Sequence, residues 1–223
     1  MADAIFTAVD LSQLPAPDLI EALDFDTLYA RGVAFYQTLD PDFEPADSKP
    51  VSKLLQVYAY REFMLRQRIN DAGRAVMPAS AAGADLDNIA ARFGIVRLVI
   101  TPADPVSGTP AEMESDTDFR RRMVLAPEGY SVAGPEGAYY FLALSADADV
   151  LDASATSPAP GEVLISLLSR TGNGHAPDAL VAKILAYLSA ETRRPLTDHV
   201  TVRSAELVEY SIDYDATTYN GPD

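Results

Sequence analysis

Between Ser48 and Val76 the chain carries one long helical period, and no other stretch constrains the fold as much. Val51, Leu54, Tyr58, Leu65, Ile69, Ala72 and Val76 recur at spacings that place them along one face of a 3.6-residue helix. Leu55, Ala59 and Phe63 widen that face. Ser48 is a candidate N-cap, Pro50 falls in the first turn where its missing N–H costs nothing, and Pro78 closes the far end. Such a helix is well past the mean globular length of about 12 residues. It reads as the spine of an ordinary core or as one member of an inter-chain bundle. The polar, proline-broken sequence before it favours the bundle, because it offers little to cover so long a face.

With 223 residues and a hydrophobic fraction of 48%, the chain has material for one large domain or two small ones. Cysteine is absent, which excludes disulfides, thiolate metal sites and a cysteine nucleophile. No signal-like N-terminus and no apolar run near the 18 or so residues of a membrane span is present. The net charge of −16 argues against a polyanion as main partner. That charge is uneven: residues 51–100 hold 7 basic and 4 acidic side chains, whereas 1–50 hold 2 and 10. The basic stretch is therefore expected to meet acidic surface, from the chain's own N-terminal arm or from a neighbour. The simpler expectation is a solvated face with internal pairs such as Glu62 to Arg66.

The organisation follows from the local patterns. Residues 1–47 read as an acidic arm with a probable helix over Asp18–Leu39, weakened at Gly32, and with apolar spots such as Ile5-Phe6 and Leu11 too short for a core. Residues 48–101 hold the long helix, a second helix over GADLDNIAARFG with Leu86, Ile89, Ala90 and Phe93 on its apolar face and Gly94 as its stop, and a short strand at RLVIT. Residues 102–114 read as a linker. Residues 115–223 read as a small α/β module: a helix capped by Ser115, a glycine-rich loop leading to a helix from Pro135, two strands, a helix over Pro177–Ser189, and two closing strands, HVTVRS and LVEYSIDYDA. The fold class is α+β, with an N-terminal long-helix region and a module built on an antiparallel-rich sheet.

No catalytic constellation emerges. His175 and His199 lie at turns or strand edges, outside any metal-ligand spacing or nucleophile elbow. The loop Tyr130–Gly137 before a helix N-terminus has the backbone physics of an anion site, but it carries no Lys or Arg and matches no nucleotide fingerprint, so its glycines read as structural. Arg120, Arg121 and Arg122 are expected to pair with local or partner carboxylates. No catalytic, cofactor or metal-binding residues are assigned.

Four segments in order, SKPVSKLLQVYAYREFMLRQRINDAGRAVM, AAGADLDNIAARFGIVRL, MESDTDFRRRM and YSVAGPEGAYYFLALSADADVLDASATSPAPGEVLISLLSR, resemble the Baseplate J-like family of contractile phage tails and tail-like particles. The resemblance spans roughly Leu11 to Tyr214. It implies a non-enzymatic wedge component whose long helix joins other wedge proteins and copies of itself in a core bundle. The ring so formed would surround the hub and support the first sheath layer. It implies assembly in the bacterial cytoplasm and a final place in the particle's baseplate, with no nucleic acid, membrane, cofactor or small-molecule substrate. On that reading Leu54, Leu55, Tyr58, Leu65 and Ile69 supply inter-chain packing and Arg61, Arg66 and Arg68 meet acidic neighbours. Members of the family usually continue with a further α/β portion, so LVEYSIDYDATTY is expected to open a second sheet. The alternatives are an adaptor in another bacterial assembly and an enzyme using the Tyr130–Gly137 loop.

Overall fold

A computed structural model describes residues 9–15, 17 and 20–215. Ile5-Phe6, Asp18 and Leu19 lie outside them. Backbone contacts divide the described chain into two units, one of residues 9–97 with 115–124, the other of 98–114 with 125–215.

In the first unit, helix α1 (Phe25–Leu39) starts later than its apolar pattern suggested. Asp24 sets the start, its carboxylate accepting from the Thr27 N–H at 2.8 Å. Helix α2 (Pro50–Ala75) is the predicted long helix, with Pro50 at its first position. Ser48 is not its cap: Lys49 occupies the N-cap position and no side chain caps the end. Helices α1 and α2 pack together, and Leu28 and Val33 of α1 and Ala59 of α2 are buried. Phe43 closes the connection, edge-on to Tyr36 at 4.8 Å between ring centroids.

Helix α3 (Gly83–Ala90) follows, and Gly94 ends the turn after it with φ of 71°, the left-handed conformation expected of a helix stop. The short sheet of β1 (Val99–Thr101) and β2 (Glu112–Met113), an antiparallel pair, belongs to the second unit. Helix α4 (Asp116–Leu125) returns to the first, as Ser115 Oγ accepts the Asp118 N–H at 3.1 Å, the predicted cap. Its Phe119 and Met123 close a core with Ala81, Leu86 and Ala90 of the α3 region. The segment read as the start of the C-terminal module thus supplies two of the five buried residues of this core.

Two arginines of the run bond backbone oxygens here. Arg120 donates to the Pro78 carbonyl at 2.8 Å and to that of Ala81, and the buried Arg122 donates to the Val96 carbonyl at 2.7 Å. Carbonyls left over by turns and helix ends need donors, and a guanidinium reaches several at once. Arg97 meets the carboxylates of Asp87 and Asp116 and lies over the Phe119 ring.

The second unit is built on the sheet β3 (Val150–Thr156), β4 (Glu162–Ser169) and β5 (His199–Ser204), in that order. β3 and β4 are antiparallel. β5 runs parallel to β4, because helix α6 (Asp178–Leu188) intervenes as a crossover. Helix α5 (Glu136–Ala146) packs on β3 and α6 on β5. Ile165 and Leu167 of β4, with Ile184 and Leu188 of α6, are fully enclosed. The closing strand expected over LVEYSIDYDA does not form: residues 205–215 make no regular element, and 206–215 are exposed throughout. Period-two alternation supplies a face to bury but no partner edge, and a strand without a partner is not stable in water.

Candidate assembly interface

The side chains α2 turns inward are small or polar. Ser52, Ala59, Asn70 and Gly73 are its buried residues. Small side chains let α1 and the N-terminal segment approach closely. The polar ones hold those segments: Ser52 Oγ accepts the Ala46 N–H at 3.1 Å, and Asn70 pairs with the backbone of Glu21 through both ends of its amide, at 3.1 and 2.8 Å. A buried amide satisfied in this way fixes register as well as contributing energy.

The large apolar side chains face out. Leu54 is 58% exposed, Tyr58 68%, Leu65 64% and Ile69 53%, and Val57, Tyr60 and Met64 broaden the strip. At about 100° per residue this row stands roughly 110° around the helix from the buried one. Phe35 and Leu39 of α1 are exposed as well. Exposed apolar side chains scattered singly need no explanation, whereas a row of them along a 26-residue helix marks a candidate interface.

The eight residues singled out from sequence do not all lie on this strip. Leu54, Tyr58, Leu65 and Ile69 do. Leu55 is half-buried, its Cδ2 3.9 Å from where a Cβ on Gly32 would stand, so it packs beneath α1. Arg66 bonds Glu21 of the arm at 2.7 Å and Glu62 at 2.9 Å, which hold its guanidinium above the usual arginine range, the Glu21 hydrogen bond foremost. Both the arm contact and the internal i,i+4 pair expected from charge are therefore present. Arg61 and Arg68 are exposed and have no ion-pair partner among the described residues. Val57, Tyr60 and Met64 escaped the sequence reading because it widened the face on the other flank, towards Leu55, Ala59 and Phe63, which are buried or half-buried.

The glycine-rich loop exposes Tyr130 and Val132, but the glycines that bracket it are closely packed. A Cβ on Gly129 would stand 2.2 Å from the Phe141 ring, and one on Gly137 would stand 2.9 Å from the Glu128 carboxylate. Glu128 thus lies against the first turn of α5, beside Glu136, where an anion would have to bind. His199 opens β5 and His175 follows a turn, bridged to Leu168, both exposed. Among the described residues no group of three or more His, Asp or Glu could hold a metal ion, and no helix is long and apolar enough to cross a membrane.

Comparison with known proteins agrees with this architecture. The Baseplate J-like N-terminal domain matches residues 47–104, and the Baseplate J-like central domain matches residues 131–204. Baseplate protein J of Escherichia phage P2 is 48% identical over 225 residues, an alignment that takes in 96% of this chain and 74% of that protein. With two domains matched in order and near-half identity along almost its whole length, the chain belongs to the Baseplate J-like family.

Proposed function

We propose that this protein is a structural, non-catalytic component of a phage baseplate, and that it assembles by burying the outer row of α2 against helices of other wedge proteins or of further copies of itself. The exposure of Leu54, Tyr58, Leu65 and Ile69 on a helix whose small and polar side is already committed to α1 and the arm carries this reading. Its relation to the phage P2 protein supports the baseplate setting. Each such side chain, fully buried, contributes about 1.5–3 kcal/mol, so four suffice to hold a stable contact once orientational costs are met. Arg61 and Arg68 flank the row and suit an acidic partner rim. In the assembled particle the resulting ring surrounds the hub and supports the first sheath layer, with assembly in the bacterial cytoplasm before incorporation into the virion.

The test is co-expression with the proteins encoded beside it, followed by size exclusion with light scattering. A stable mixed complex is expected with the native chain and its loss with Leu65→Asp, since an unpaired carboxylate buried in an apolar contact costs several kcal/mol. Because Leu65 is exposed in the single chain, the variant should keep its native thermal transition when purified alone. A Leu65→Asp chain that assembles normally removes this face from the interface.

A further inference from the structure

Residues 206–215 pose a specific problem. Val208, Tyr210, Ile212 and Tyr214 alternate with Glu209, Ser211, Asp213 and Asp215, the pattern of a half-buried strand, yet the four apolar side chains are 73–83% exposed. The sheet order leaves one edge of β5 unpaired. We propose that residues 206–215 add as a strand to the open edge of β5 in a second copy of this chain. The inference rests on the assembly reading only in that copies must meet.

Charge favours that edge. The outward residues of β5 are His199, Thr201 and Arg203, whereas the donating segment carries Glu206, Glu209, Asp213 and Asp215. Pairing with Val208, Tyr210, Ile212 and Tyr214 on the helix-covered side places Glu209 and Asp213 on the outer side with Arg203, and opposite charges across a strand pair stabilise it. The far edge of the sheet is less receptive. β3 has an irregularity between Val150 and Asp152, and the Asp152 carboxylate already accepts the Ala153 N–H at 2.9 Å.

Pairing within one chain is disfavoured by the connection. A hairpin back onto β5 would have to turn at Ala205 and Glu206, and neither residue suits the positive φ of a tight hairpin turn. Instead Ala205 donates its N–H to the Leu167 carbonyl at 2.7 Å, so the chain is still following β4 when it leaves the sheet. A strand given to a neighbour by each copy in turn is a head-to-tail contact, the kind that closes rings.

The natural absence of cysteine makes a direct test clean. In chains that also carry Leu65→Asp, so that α2 cannot supply the contact, T201C is mixed with size-tagged E209C, S211C or D213C, and with V208C, Y210C or I212C, and the mixtures are oxidised. Mixed disulfides are expected with members of the first set, with loss of signal in the second and again when Ile212→Pro is added. No mixed disulfide above that between T201C and an exposed control, V106C, overturns the proposal. So does a T201C/D213C double variant that cross-links only within itself on dilution. Neither result bears on the α2 contact, which the co-expression experiment reads.

Discussion

Helices α2 and α5 are both rich in large apolar side chains, but they use them in opposite ways. Every residue of α5 from Gly137 to Leu144 is buried, whereas the 26 residues of α2 bury only Ser52, Ala59, Asn70 and Gly73. α5 lies within a core that its own unit completes with a sheet and a second helix. α2 is anchored by small and polar groups and leaves its large side chains to solvent. The contrast shows that apolar content alone does not identify core: what matters is whether the chain supplies a surface to cover it.

The sharpest way to break this contrast is to shorten one side chain in each region. Ile165→Ala, in the enclosed core beneath the helices, is expected to lower stability by about 2–5 kcal/mol, whereas Leu65→Ala in the isolated chain should stay within about 0.5 kcal/mol. Urea denaturation of both variants decides it, and similar losses would mean that the α2 row is part of a core after all. Glycines give a second comparison. Gly129→Ala drives a methyl into the Phe141 ring and should cost about 1–3 kcal/mol, while Gly32→Ala in α1 meets nothing closer than Leu55 at 3.9 Å and should stabilise by about 0.5–1 kcal/mol. Thermal unfolding reads the two signs.

A smaller effect tests the polar side of α2. Asn70→Ala removes both hydrogen bonds to Glu21 and leaves a partly buried backbone pair unsatisfied, an expected loss of about 1–3 kcal/mol; the exposed Arg66 to Glu21 bridge should contribute less, because solvent screens it. Limited proteolysis of the segment before Asp24 would report release of the arm in Asn70→Ala. The smallest effect is on pH. The Arg97 hydrogen bond, then that from the Gly83 N–H, holds the Asp116 carboxyl below its ordinary value of 3.8. A carboxylate with a depressed folded pKa adds stability that is present above its unfolded pKa and is lost as pH falls through the folded one. Acid titration of stability in Asp116→Asn should therefore lack part of the native decline below about pH 4.

Much of this molecule was legible from local chemistry. The span of α2, the Ser115 cap, the stop at Gly94, the strand β4 and the helix α6 each follow from a residue's own backbone preference or from a period along the chain. Apart from the parallel pairing that makes α6 a crossover, which the sequence did not indicate, these are short-range effects, and a one-dimensional pattern carries them. The family resemblance was legible too, since it rests on ordered segments.

What only the tertiary structure decided were matters of partnership. It showed that Leu55 belongs to the α1 contact while Leu54 does not, because one step along a helix turns a side chain by about 100° and only a neighbour makes that turn matter. It aimed Arg120 and Arg122 at backbone carbonyls, joined α4 to α3 across the intervening residues, and left 206–215 without the strand that its alternation promised. Periodicity names the face of a helix or strand that seeks cover. Which surface provides it depends on contacts between residues far apart in the chain, or between chains, and those are fixed only when the elements are packed.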